Sequence, residues 1–171
     1  MRRKGEQLQV GDVLLEKGRH ITPEALGLLA SVGIHAVRIL RPPRVHVVLT
    51  GNEFLNEQEP SEGKIHSSNG FMLGAALRSS GMLVTMEHVP DDRARLDGAF
   101  SKALAQCDVI LSTGGVSVGD HDLVREAVEM NDGLIHFHGV AQKPGKPMLF
   151  ATVGGKPFFG LPGNPRAVMV L

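Results

Sequence analysis

Residues 109–130 read VILSTGGVSVGDHDLVREAVEM, and the reading of this stretch decides the fold. Val109-Ile110-Leu111 is a short apolar run entered from Asp108. It is too short for a helix, so it reads as a buried strand. Residues 112–119 are almost all Ser, Thr and Gly, which is loop chemistry. After Asp120 and Asp122, residues 123–130 place apolar Val124, Ala127 and Val128 at helical spacing. A strand that passes through a glycine loop into a helix is the first half of a βαβ unit.

The same unit recurs on both sides. Residues 45–49 form a short apolar strand ending at Thr50-Gly51. A helix capped by Asn69 follows, with Met72, Leu73, Ala76 and Leu77 on one face and Gly81 as its stop. Residues 83–89 are the next strand. Pro90-Asp91-Asp92 then opens a helix to about residue 106. Beyond residue 130, segments 134–140, 148–153 and 157–161 read as strands, and Asn164-Pro165 starts a last helix. The expected fold is α/β, three layers α/β/α around a mostly parallel sheet.

Residues 1–43 read as a separate piece. GDVLLEKG at 11–18 reads as a strand and turn. Thr22-Pro23 caps and starts a helix, and residues 36–40 read as a second strand. Arg41-Pro42-Pro43-Arg44 is a stiff linker, so the expected domains are 1–43 and 44–171.

Composition narrows the function. Lys plus Arg and Asp plus Glu are both 18, giving zero formal net charge, which argues against a broad basic nucleic-acid surface. No Trp or Tyr is present, so an aromatic platform for single strands is unsupported. No apolar run reaches the about 18 residues of a membrane span. No charged-then-apolar leader opens the sequence as given. One cysteine, Cys107, excludes an intrachain disulfide framework, fits a reducing, cytoplasmic setting, and reads as a small buried residue.

In parallel α/β sheets, ligands gather at the carboxyl ends of the strands. The polar and glycine-rich segments of this chain fall there. The 112–119 loop can turn backbone N–H groups toward an anion at a helix start, but its spacing is equally that of a tight turn. Lys143-Pro144-Gly145-Lys146-Pro147 sets two cations on a stiff turn, suited to an oxyanion or simply solvated. Leu161-Pro162-Gly163-Asn164-Pro165 is a helix start of either kind. Glu53, Asp91, Asp92, Asp120 and Asp122 are each N-cap or loop acids alone, yet together suit a hard cation such as Mg²⁺. His136 and His138, two apart on a strand, are expected on one face. His121 lies between two aspartates.

Taken in order, STGGVSVGDHD, VAQKPGKPMLF and GKPFFGLPGNP resemble the molybdopterin molybdotransferase (MoeA and gephyrin E-domain) family. RVHVVLTGNEF, GKIHSSNG and HVPDD extend the resemblance over 44–171, and residues 5–40 resemble the tail of the family's preceding domain. The resemblance implies a molybdopterin-binding, MogA-like fold. It also implies insertion of molybdate into adenylylated molybdopterin, with Mg²⁺ and release of AMP. Carried over by position, Ser112, Thr113, Gly114, Gly115, Ser117 and Gly119 cradle the pterin's terminal phosphate. Lys143 and Lys146 form the basic turn, and Pro162 and Pro165 close the pocket. Asp122, Glu53 and Asp92 form the catalytic and metal-linked acidic end. The sequence departs from the family at Asn52 and Ser67, where Asp is usual. The family's lid-like and C-terminal β domains have no counterpart here, so turnover by this chain stays open. A non-catalytic binding or scaffold module and a MogA-type adenylyltransferase are the alternatives. The implied partners are molybdopterin and its adenylate, with self-association open and no nucleic acid or membrane.

Overall fold

The computed structural model describes residues 6–51, 67–116 and 122–171. The chain divides into two compact units, residues 1–41 and 42–171.

In the first unit, α1 (Pro23–Ser31) starts as its sequence dictates. Thr22 is the N-cap, its hydroxyl accepting from the Ala25 N–H, and Pro23 takes the first helical position. The strands expected at 11–17 and 36–40 do not form; these residues are turns and irregular chain. A strand needs a ladder partner for its N–H and C=O groups, and no ladder joins the described residues of this unit.

The second unit is built on a six-stranded sheet. Its strands are β1 (Arg44–Thr50), β2 (Leu83–Val89), β3 (Val109–Thr113), β4 (Leu134–His138), β5 (Leu149–Val153) and β6 (Lys156–Leu161), in spatial order β2-β1-β3-β6-β5-β4. β2, β1, β3 and β6 are mutually parallel, and β5 alone runs against the rest. The α/β expectation and the mostly parallel sheet hold. β5 and β6 are joined by a two-residue hairpin in which Gly154 (φ 56) and Gly155 (φ 74) both adopt positive φ. That conformation matches the twist of the flanking strands, and glycine adopts it freely.

The remaining helices are α2 (Ser68–Ser79), α3 (Arg93–Gln106), α4 (Leu123–Met130) and the short α5 (Pro165–Val168). α3 buries Leu96, Ala99, Phe100 and Ala103, an i, i+3, i+4, i+7 stripe, and α4 buries Val124, Ala127 and Val128. These pack with Val48, Ile110, Leu149, Ala151 and Phe158 on one face of the sheet. Leu73 of α2 and Val168 of α5 pack with Val45, Val47 and Leu49 on the other. β1 alternates between the two cores and is buried from Val45 to Thr50, as a central parallel strand must be. Cys107 is buried as expected; its Sγ lies 2.8 Å from the Ala103 carbonyl and burial pushes the thiol pKa up, so it is an inert packing residue.

Three local expectations change. Ser67, not Asn69, precedes α2, and Asn69 lies inside its first turn. β3 extends to Thr113, so Ser112 and Thr113 belong to the strand. A register shift between Ile135 and Phe137 interrupts the alternation of β4. The two histidines therefore do not share a face: His136 stacks on Phe150 and meets Thr152, while His138 reaches Asp122 at the start of α4.

Candidate functional site

The order β2-β1-β3-β6-β5-β4 places a switch point between β1 and β3. From β1 the chain leaves to β2 on one side, and from β3 the sheet grows toward β6 on the other. A crevice at the carboxyl ends of such a pair is the usual ligand position of this architecture. The two strands end at Thr50-Gly51 and Thr113-Gly114.

The glycine loop begins in close contact with β1. Thr50 Oγ1 donates to the Thr113 carbonyl at 3.1 Å, and the Gly114 N–H donates to the Leu161 carbonyl at 3.0 Å. Gly114 has φ 83, and a Cβ there would stand 2.7 Å from both the carbonyl oxygen and Oγ1 of Thr50. At Gly115 a Cβ would stand 3.0 Å from Val124 Cγ2 and 3.1 Å from Thr50 Oγ1. The first two glycines are thus required by the approach of the loop to its own scaffold. Ser112 and Thr113 are buried in the strand, and the Ser112 hydroxyl has no hydrogen-bond partner among the described residues. Ser117, Gly119, Asp120 and His121 lie outside the described residues, as do Asn52 and Glu53.

The LPGNP turn closes onto the same place. Pro162 is buried, and a Cβ on Gly163 would lie 3.6 Å from Gly114 Cα. Asn164 Oδ1 accepts from the Arg166 N–H at 2.9 Å, and exposed Pro165 starts α5. From the other wall, Asn69 Nδ2 donates to the Gly163 carbonyl at 2.8 Å. The α2 start, the LPGNP turn and the glycine loop therefore meet at one point.

The KPGKP turn stands on the same edge of the sheet. It connects the end of β4 to the start of β5, which is the carboxyl edge because β5 is reversed. The Val140 and Met148 N–H groups both donate to the Lys146 carbonyl, and Gln142 Nε2 donates to the Val170 carbonyl beyond α5. Gly145 abuts Leu171. The Lys143 and Lys146 side chains are exposed on this anchored turn.

The acids divide. Asp122 is 5% exposed; its Oδ1 accepts from the Arg125 N–H at 2.8 Å, capping α4, and its Oδ2 lies 3.2 Å from His138 Nε2. That separation is a close contact, which becomes an ion pair only with a protonated imidazole. Asp92 is exposed and caps α3 through the Arg95 N–H at 2.9 Å; Asp91 beside it is exposed too. Among the described residues no three His, Cys, Asp or Glu side chains come together as a metal centre. The described acids do not by themselves fit Mg²⁺, and Glu53, the third acid of the set, is outside them.

Sequence reasoning missed three participants. Thr50 stands out in the sequence only as the residue before Gly51. Asn69 reads as a cap. Strand alternation pairs His138 with His136, and the bulge that re-aims it has no local signal.

A family profile described as "Probable molybdopterin binding domain" matches residues 46–171. The chain is 40% identical over 166 residues to a molybdopterin molybdenumtransferase of Staphylococcus epidermidis, covering 96% of this chain and 40% of the relative. It is 38% identical over 172 residues to the Haemophilus influenzae protein of the same name, covering 99% and 42%. The crystal structure of a molybdopterin biosynthesis MoeA protein from Pyrococcus horikoshii superposes with a TM-score of 0.86 at 34% identity, covering 98% of this chain and 42% of that one. The chain thus spans about two fifths of the length of these relatives.

Proposed function

The chain belongs to the molybdopterin-binding domain family and serves molybdenum cofactor biosynthesis, and from that premise we propose that it supplies the molybdopterin-binding half of a molybdotransferase cleft. The observation that carries the proposal is the meeting of the glycine loop, the LPGNP turn and the α2 start at the switch point, with the lysine turn anchored on the same edge. The loop from Gly114 through Gly119 holds the pterin's terminal phosphate, and Ser112 and Thr113, buried at the end of β3, anchor its start. Lys143 and Lys146 hold phosphate and molybdate as anionic substrates, each ammonium a point charge on a turn that is already ordered. Pro162 and Pro165 shape the closing wall. Asp122, with Asp92 and Glu53, marks the acidic end of the cleft, where the adenylate is held for hydrolysis and release of AMP. The chain's own contribution is positioning and charge. The setting is cytoplasmic, in keeping with the lone buried thiol. No helix of the described residues is long and apolar enough to cross a membrane.

A second reading, a carrier or scaffold module that binds molybdopterin without turnover, is favoured by one observation: Asp92 and Asp122 each commit a carboxylate oxygen to capping the helix they precede. One assay separates the readings. AMP release from molybdopterin adenylate is followed with molybdate and Mg²⁺, using this chain alone and then with a full-length relative added. Release by the chain alone supports the transferase. Binding without release supports the module. ATP-dependent formation of the adenylate contradicts both and assigns an adenylyltransferase.

A further inference from the structure

Asn69 is 3% exposed, and one contact orients its amide. Nδ2 donates to the Gly163 carbonyl at 2.8 Å, and because a carbonyl only accepts, the nitrogen end is the one that faces Gly163. Oδ1 is left over. It has no hydrogen-bond partner among the described residues, and neither has the buried hydroxyl of Ser67. The side chain ties the first turn of α2 to the LPGNP turn, so this unused acceptor belongs to the meeting point described above.

The start of α2 is open in a second way. Thr22, Asp92, Asp122 and Asn164 each accept a hydrogen bond from the helix they precede. Ser67 occupies the same position before α2 and makes no side-chain cap. α2 has 12 residues, and its first-turn N–H groups, at the positive end of its macrodipole, have no backbone acceptor among the described residues. Gly70 holds that turn against β1: a Cβ there would stand 2.7 Å from Leu49 Cδ1.

The helix start thus offers donors, and Asn69 in its first turn keeps one buried acceptor without a partner among the described residues, which is costly. A carboxylate would satisfy the N–H groups and leave Asn69 Oδ1 idle. A tetrahedral oxyanion that keeps one proton satisfies both. We propose that residues 67–70 form an oxyanion position for a group of the hydrogen phosphate class. Its oxygens accept from the first-turn N–H groups and the Ser67 hydroxyl, and its O–H donates to Asn69 Oδ1. The position is additional to the KPGKP lysines. It rests on the function proposed above only for which molecule carries the oxyanion.

The test is a titration of the ¹⁵N-labelled chain with inorganic phosphate and, separately, with molybdate, read at every amide. The expected result is saturable movement of the 68–70 amides and the Asn69 side-chain NH₂. Ser67→Ala should weaken it several-fold and Asn69→Ala about tenfold or more. If Asn69→Ala loses the dispersed spectrum of a folded chain, Ser67→Ala decides alone. Tighter phosphate than molybdate supports the proposal and assigns the position to the pterin phosphate; tighter molybdate, which has no proton at neutral pH to give Asn69 Oδ1, overturns it. Movement confined to residues 143–147 or 114–116, or none at 67–70, overturns it while leaving molybdopterin binding by the cleft intact. Movement at 68–70 in a chain that fails to bind molybdopterin sinks the functional reading instead.

Discussion

Gly114→Ala tests whether the glycine loop is shaped by its own scaffold. Two costs apply at this position. The residue has φ 83, a left-handed backbone that an L side chain adopts at about 1–2 kcal/mol. The new methyl would also stand 2.7 Å from the Thr50 carbonyl oxygen, a backbone atom at the end of a central strand. It cannot swing aside as a flexible side chain does, so overpacking adds about 1–3 kcal/mol. Gly155→Ala is the matched control: φ 74, with nothing within 4 Å of the added Cβ. It carries the first cost and not the second. Urea unfolding at constant slope should therefore place Gly114→Ala about 2–5 kcal/mol below the parent and Gly155→Ala about 1–2 kcal/mol below it. Equal losses for the two variants would refute the close approach to Thr50. The loop's glycines would then have to be explained by a ligand alone.

Phe158 is 1% exposed and meets Phe100 edge-on at 5.1 Å, so Phe158→Ala should lose about 3–5 kcal/mol in the same unfolding experiment; a loss under about 1 kcal/mol would mean the α3/α4 core is not packed as described. Asp122→Asn keeps the acceptor that caps α4, whereas Asp122→Ala removes it, so the alanine variant should be less stable than the asparagine one by about 1 kcal/mol; identical stabilities would show that the cap contributes nothing. Burial alone would raise the Glu87 pKa, but hydrogen bonds and charge from Lys102 and His46 outweigh it and hold the carboxyl below its ordinary value. A depressed carboxylate stabilises the fold above its unfolded pKa, and that contribution is lost as pH falls through the folded value. The gap in stability between the parent and Glu87→Gln should therefore be present at neutral pH and close in the acid range, and a gap independent of pH would contradict this.

Much of this fold is written locally. The stripe Leu96, Ala99, Phe100, Ala103 and the run 109–111 each fix an element without help from the rest of the chain, and Asp92, Asp122, Asn164 and Thr22 cap the helices their positions announce. What escaped depends on contacts far apart in sequence. Residues 67–69 are Ser-Ser-Asn, three capable caps in a row, and only a contact 94 residues away makes Asn69 an interior tie to Gly163. The close approach that Gly114 permits is to Thr50, on the neighbouring strand, so the loop alone could not distinguish scaffold from ligand. His138 departs from alternation because β4 shifts register against β5, a property of the pair. The segments 11–17 and 36–40 have strand-like composition but no ladder to join.

Calorimetric titration of this chain with molybdopterin tests the central claim most directly. The account predicts saturable binding at a single site, weakened when Lys143 and Lys146 are both replaced by alanine while urea stability is unchanged, since both side chains are exposed. A chain that unfolds cooperatively in urea, and so is folded, yet takes up no molybdopterin would contradict it.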